Sequence, residues 1–169
     1  MIIRFMRPNE QHKMPVEHIE YKDTKQFIGV WTRFKNWEKN PPIVAIDGHG
    51  RIVGFHAATF NKKVYVNSYY QFVSSKARGK GLGGNMFFRV LLEASKRGLT
   101  RFKAAARVDG DGDRFYKGFG MEPISYDKDH NYYDVGISSD LNSDNDWTNS
   151  SPMPPKERLR HIKLGRKLY

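Results

Sequence analysis

Cysteine is absent from the 169 residues. Its absence excludes disulfides, thiolate zinc sites and cysteine nucleophiles together, and it fits a reducing compartment. No apolar run approaches the ~18 residues that a membrane-crossing helix needs. The opening Met1-Ile-Ile-Arg-Phe-Met-Arg7 is too short and too interrupted for a signal peptide. A cytoplasmic location and no membrane partner are therefore expected. Acidic residues are scarce, and none falls between Asp47 and Glu93. The six histidines are scattered with no pair at metal-ligand spacing, so no metal site is expected. Asp109-Gly-Asp-Gly-Asp113 opens like a calcium loop, but Arg114 stands where a Gly should follow, and Gly120 where the closing Glu should be.

The residues that are present suffice for a core. Apolar residues make up 38 % of the chain and aromatic ones 14 %, which argues against global disorder. Twenty-nine Lys and Arg stand against eighteen Asp and Glu, a net charge of +11. Such a field attracts polyanions: nucleic acid, acidic protein or phosphorylated cofactors. Much of the excess is local. From Pro152 to Tyr169 six cations face one anion, a net +5, with Leu159, Ile162 and Leu168 interspersed. That segment could hold nucleic acid, dock on its own domain or meet a partner, and the sequence leaves the three open.

The pattern along the chain predicts a strand at 2–6 and an amphipathic helix over 24–38, where Phe27, Trp31 and Phe34 recur at helical spacing. Thr24 suits its N-cap and Pro41-Pro42 its stop. Strands follow at 43–46 and 51–60 around the turn Asp47–Gly50, and a long strand runs over 64–73. After the loop 74–78 and the glycine cluster 79–84, Phe87, Val90, Leu91 and Ala94 predict a helix over 83–97 with Gly98 past its end. Alternation predicts a strand over 100–108. A short helix over 113–119 and strands near 124–127 and 132–137 complete the body. Residues 139–151, rich in Ser, Asp and Asn, read as a linker. The organisation expected is a domain over 1–138, then a polar linker and basic tail over 139–169. The element order predicts a mixed α+β sheet rather than repeated βαβ units.

Arg78-Gly-Lys-Gly-Leu-Gly83 lies between a strand and a helix. Glycines there allow positive φ and close backbone approach. Successive N–H groups and a helix start favour phosphate, and Arg78 and Lys80 add charge. No P-loop string is present. Gly79, Gly81 and Gly84 spell the dinucleotide fingerprint, but five residues separate the strand from it, and the later strand carries Arg101 and Lys103 instead of an acid. The third pattern is R-x-x-G-x-G, as Arg78, Gly81 and Gly83. With it comes Phe115-Tyr-Lys-Gly-Phe-Gly-Met121, which looks like F-Y-x-x-x-G-F with Met121 in place of the final aromatic. On these two motifs and their separation the chain resembles the GCN5-related N-acetyltransferase (GNAT) superfamily, most clearly over residues 43–124.

The resemblance implies a GNAT-like, mostly antiparallel sheet flanked by helices, and acetyl-CoA as co-substrate. It implies that the loop Arg78, Gly79, Lys80, Gly81, Leu82, Gly83 and Gly84 wraps the pyrophosphate, and that Phe72 and Val73 offer backbone groups to the pantetheine arm. The strand 100–108 would splay away, leaving the thioester in the gap. Asp109 occupies the place of an Asn that contacts the cofactor arm; an ionised carboxylate accepts a hydrogen bond but does not donate one. Tyr116 matches the tyrosine that protonates the departing sulfur, and a backbone N–H near Val73 would steady the oxyanion. For the general base the flanking strands offer His56, Tyr69 and Tyr70, with His56 preferred for its ordinary pKa; a water chain is the alternative. The implied activity is acyl transfer to an amine on a macromolecule: a protein lysine, a charged tRNA or a nucleobase. A non-catalytic module that binds an acidic partner or nucleic acid is the other reading. The oligomeric state stays open.

Overall fold

The computed structural model describes residues 1–10, 13, 40–60, 63–137 and 162–163. The expected helix over 24–38 and the linker over 139–151 lie outside the described residues. So does the tail, apart from Ile162 and Lys163. The described strands are β1 (Ile2–Phe5), β2 (Ile43–Ile46), β3 (Ile52–Thr59), β4 (Tyr65–Val73), β5 (Arg101–Arg107), β6 (Ser125–Tyr126), β7 (His130–Ile137) and β8 (Ile162–Lys163). The described α-helices are α1 (Leu82–Lys96) and α2 (Asp111–Gly118). The sheet order is β1-β2-β3-β4-β5-β7-β6, with β8 also on β7. β4 and β5 pair in parallel; β1–β2, β2–β3, β5–β7, β6–β7 and β7–β8 are antiparallel. This is a mixed sheet, as the element order predicts, and a mostly antiparallel one, as the resemblance implies. Among the described residues no helix is long and apolar enough to cross a membrane.

The chain forms two compact units that interleave in sequence. The first takes the described parts of Met1–Ala58 together with Tyr69–Val90. Its core is Met6, Val44, Ile46, Ile52, Phe55, Ala57 and Phe72, with Tyr70 against it. All four residues of β2 are buried, as its unbroken apolar run requires. The β2–β3 turn is tied by Asp47, whose Oδ1 accepts from the His49 and Arg51 N–H groups, each at 2.9 Å. Gly50 supplies the positive φ of +76°.

The second unit takes Thr59–Ser68 with the described parts of Leu91–Asn145 and Met153–Tyr169. Here β4 and β5 pair from Tyr65↔Arg101 to Ser68↔Ala104, where the ladder ends, although β4 runs on to Val73 and β5 to Arg107. β5 pairs β7 along its whole length, Arg101↔Gly136 to Arg107↔His130. Alternation along β5 buries Phe102, Ala104 and Ala106. On the other parity the Arg101 guanidinium bonds Asp134 at 2.7 Å. Tyr116 of α2 packs on Phe102 and Tyr133, with ring centroids 5.9 and 5.0 Å away.

Both helices end on the same device. Past α1, Gly98 at φ +73° lets the Leu99 N–H reach the Ala94 carbonyl at 2.9 Å. Past α2, Gly120 at φ +77° lets the Met121 N–H reach the Tyr116 carbonyl at 3.2 Å, and Met121 is buried. This pairing of a left-handed glycine with a buried apolar residue gives the second motif a structural reason and explains why Met121 suffices. α2 begins at Asp111, two residues before the sequence expectation, because extended Gly110 is its N-cap and Asp111 and Asp113 favour its positive end.

One glycine of the first unit is fixed by packing. A Cβ on Gly54 would stand 2.9 Å from the Phe72 carbonyl oxygen and 3.1 Å from Met86 Cε. The carbonyl is backbone and cannot swing aside. Gly54→Val should therefore destabilise the fold by about 1–3 kcal/mol through overpacking. Denaturant unfolding of the two proteins measures it; equal midpoints and slopes would show that α1 and β4 can shift without cost.

Candidate active site

In the first unit β4 leads into a short 3-10 turn, Ser75–Ala77, anchored by the Ser74 N–H on the Val53 carbonyl at 2.9 Å. The loop that follows turns on Gly79 at φ +76° and Gly81 at φ +73°. Side chains rarely adopt either conformation. The Gly81 carbonyl takes the first helical bond, from the Asn85 N–H at 3.0 Å. The N–H groups of Leu82, Gly83 and Gly84 thus form the first turn of α1, where helix geometry provides no intrahelical acceptor. Lys76, Arg78 and Lys80 precede them in sequence and are exposed. The Arg78 Nε donates to the Val73 carbonyl at 3.0 Å, which folds the side chain back along the loop. Phe72 is buried and Val73 half-buried.

Gln71 is a positioning residue that the sequence reading missed. Its Nε2 donates to the Gly83 carbonyl at 2.6 Å and so ties β4 to the first turn of α1. No motif flags it, because its partner is a backbone group. The only available signal is a polar side chain two residues before the end of the strand that leads into such a loop.

In the second unit Tyr116 is buried, and its hydroxyl lies 3.3 Å from Ser68 Oγ. Burial pushes the phenol up to about 12, against a smaller lowering from the Ser68 contact. Asp109 is exposed and left-handed at φ +56°. Its N–H donates to Asp113 Oδ2 at 3.2 Å, and its carbonyl accepts from Arg114 at 2.6 Å. The calcium-like run is spent on local bonds: Asp111 pairs with Arg114 at 2.6 Å, and Asp113 turns inward. Among the described residues no group of three or more acidic or histidine side chains is placed to hold a metal ion.

Asp113 is 1 % exposed. Oδ1 accepts from Asn131 Nδ2 at 2.9 Å and from the Tyr133 hydroxyl; Oδ2 accepts from Lys117 Nζ at 2.8 Å as well as from Asp109. Burial alone would raise this carboxyl, but the bonds from Lys117, Tyr133, Asn131 and Asp109 hold it well below the usual carboxylate range.

The base candidates differ in setting. His56 is fully buried in the first unit, stacked on Phe87 with ring centroids 6.4 Å apart. Burial lowers it to about 3, so the ring is neutral. Tyr70 is half-buried against Phe55 at 5.7 Å, and Tyr69 is 42 % exposed.

A model of the acetyltransferase (GNAT) family matches residues 8–121. The chain belongs to the GNAT family. No curated protein matches it. Solved GNAT structures share its fold. One is the Escherichia coli N-acetyltransferase YhbS in complex with CoA, 16 % identical, TM-score 0.66, covering 84 % of each chain. Another is yncA of Salmonella typhimurium with acetyl-CoA, 17 % identical, TM-score 0.56, covering 82 % of this chain and 94 % of that one. A third is Ard1 of Thermoplasma volcanium, 18 % identical, TM-score 0.60, covering 80 % and 97 %.

The buried imidazole has a measurable consequence. His56 takes up a proton below 6.5 when unfolded but only below about 3 when folded. Between those values the unfolded chain binds the extra proton, so stability is full above pH 6.5 and falls as pH drops toward 3. The whole shift corresponds to on the order of 5 kcal/mol. Denaturant midpoints should begin to fall below pH 6.5, and His56→Gln should remove that upper leg of the acid loss. A wild-type midpoint flat from pH 7 to 5 would mean the ring is solvated in the fold.

Proposed function

We propose that the protein is an N-acyltransferase that uses acetyl-CoA and acts on an amine of a macromolecular acceptor. The observation that carries the proposal is the loop Arg78–Gly84. Two left-handed glycines and the first turn of α1 gather backbone donors, and the exposed Arg78 and Lys80 stand in the same loop. That donor set fits a pyrophosphate, and the CoA and acetyl-CoA complexes of YhbS and yncA support the same assignment.

On this reading the N–H groups of Leu82, Gly83 and Gly84, with Gly79 and Gly81 shaping the loop, hold the pyrophosphate beside Arg78 and Lys80. The backbone of Phe72 and Val73 orients the pantetheine arm, and Asp109 accepts a hydrogen bond from it. Acetyl-CoA, when bound, supplies the activated acetyl group. A backbone N–H near Val73 steadies the oxyanion. Tyr116 stays protonated through the physiological range because its phenol sits near 12. Its work is thus to donate a strong hydrogen bond to sulfur as negative charge develops. The acceptor class follows from charge: a chain at +11 draws acidic macromolecules, so an amine on a tRNA, a nucleobase or an acidic protein is favoured.

One observation favours a second reading, a non-catalytic GNAT module that binds an acidic partner. His56, the preferred base by sequence, is buried and neutral, which leaves proton removal to Tyr69, Tyr70 or water. Single-turnover incubation with labelled acetyl-CoA and a cell extract separates the readings. Label transferred to a macromolecule supports the enzyme; cofactor bound without transfer supports the module.

The cofactor assignment has its own test. Gly81→Val places a β-branched side chain at φ +73°. It should weaken acetyl-CoA binding by at least ~100-fold in calorimetric titration, since the backbone donors would no longer converge. Wild-type affinity in this variant would remove the loop from the site.

A further inference from the structure

The second unit buries more polar machinery around Tyr116 than packing needs. Asp113 sits three residues before Tyr116 on α2 and shares its inward face. A carboxylate at 1 % exposure is costly unless donors meet it on every side, and here four do. Replacing the whole cluster with packed apolar side chains would often be neutral or stabilising, whereas removing the carboxylate alone would leave its buried donors unpaired. What the carboxylate adds is direction. It fixes the Tyr133 hydroxyl and with it the ring on which Tyr116 packs at 5.0 Å. It also clamps the Asp109 N–H and so the turn from which α2 starts. At the other end of Tyr116, Ser68 Oγ meets the hydroxyl at 3.3 Å.

We infer that Asp113, acting through Tyr133, is a positioning residue that orients Tyr116, whose hydroxyl the cofactor reading assigns to the sulfur of CoA. The inference rests on the cofactor reading above. Asn131 and Lys117 complete the carboxylate's shell and share its face of β7 and α2. Tyr133→Phe removes one hydroxyl and leaves Asp113 three donors, so it is the milder probe. Asp113→Asn keeps the shape and removes the charge.

The readout is the thiol of CoA itself, followed by the ultraviolet absorbance of its thiolate while pH is raised over the wild-type complex. This requires no acceptor. A donor aimed at sulfur stabilises the thiolate, so the bound thiol should titrate about one unit below free CoA. Tyr116→Phe should abolish that lowering. Tyr133→Phe and Asp113→Asn should each remove at least half of it while CoA affinity at neutral pH stays within about threefold, since most of that affinity comes from the phosphates. In a Tyr116→Phe background, adding Tyr133→Phe should change nothing further, because its effect passes through Tyr116.

A bound thiol pKa unchanged by Tyr133→Phe overturns the inference and leaves the cofactor site standing. The same holds if Tyr133→Phe produces a further shift when Tyr116 is already Phe. A wild-type complex whose thiol titrates like free CoA removes the donor role of Tyr116 and the inference with it. Failure of the wild-type chain to bind CoA removes both the inference and the reading it rests on.

Discussion

A β-strand offers successive side chains to alternate sides, and in β4 that alternation assigns the work of the candidate site. Even positions go to apolar and hydroxyl partners. Val66 is fully buried, Ser68 meets Tyr116, and Tyr70 and Phe72 lie at 5.7 and 5.9 Å from Phe55. Odd positions carry polar reach. Tyr65 lies under the Lys103 ammonium at 4.2 Å, and Gln71 holds the Gly83 carbonyl. A one-residue slip of β4 would exchange every one of these partners at once. The parallel ladder from Tyr65↔Arg101 to Ser68↔Ala104 fixes the register at one end, and Gly54, pressed against the Phe72 carbonyl, fixes it at the other.

Two of the buried titratable groups, His56 and Asp113, are handled in opposite ways. His56 gives up its charge: with an aromatic neighbour and no solvent, the neutral imidazole is the cheaper form. Asp113 keeps its charge because Lys117, Tyr133, Asn131 and the Asp109 N–H hold it. The difference separates packing from positioning. A neutral ring can serve as a flat apolar surface. A carboxylate held by four donors is directional and fixes each donor in return.

Much of the scaffold is legible in the sequence because its signals are periodic or conformational. Alternation marks β5, unbroken apolar residues mark β2, and helical spacing marks α1. Gly79 and Gly81 are legible because positive φ has few other tenants. The rest depends on partners distant in the chain. Asp113 reads as part of a calcium-like run, and only the three-residue step to Tyr116 hints that it faces inward. Its partners Asn131 and Tyr133 lie on a strand whose register the sequence does not state. His56 reads equally as base or core, and burial is what distinguishes them. The tail reads as one basic unit, yet its described pair, Ile162 and Lys163, is an antiparallel partner of Ile137 and Gly136, a pairing that no local pattern announces.

The net charge of +11 is less uniform than it looks, and its distribution bears on what the chain attracts. Between Asp47 and Glu93 there are seven cations and no acid. From Asp109 to Asp134 there are seven acids and three cations. Most of those acids are engaged locally: Asp111 with Arg114, Asp113 with Lys117, Asp134 with Arg101, and Asp127 with Tyr132. They shape turns and helix starts. The cations of the loop at Arg78 are exposed and have no acidic neighbour in sequence. A pyrophosphate and a polyanionic acceptor would therefore draw on the same Lys76, Arg78 and Lys80. The net +5 from Pro152 to Tyr169 is a further supply in the chain, about seventy residues away in sequence. Charge neutralised by one polyanion no longer attracts the next, so two separate runs of cations can serve two polyanions where one run serves one.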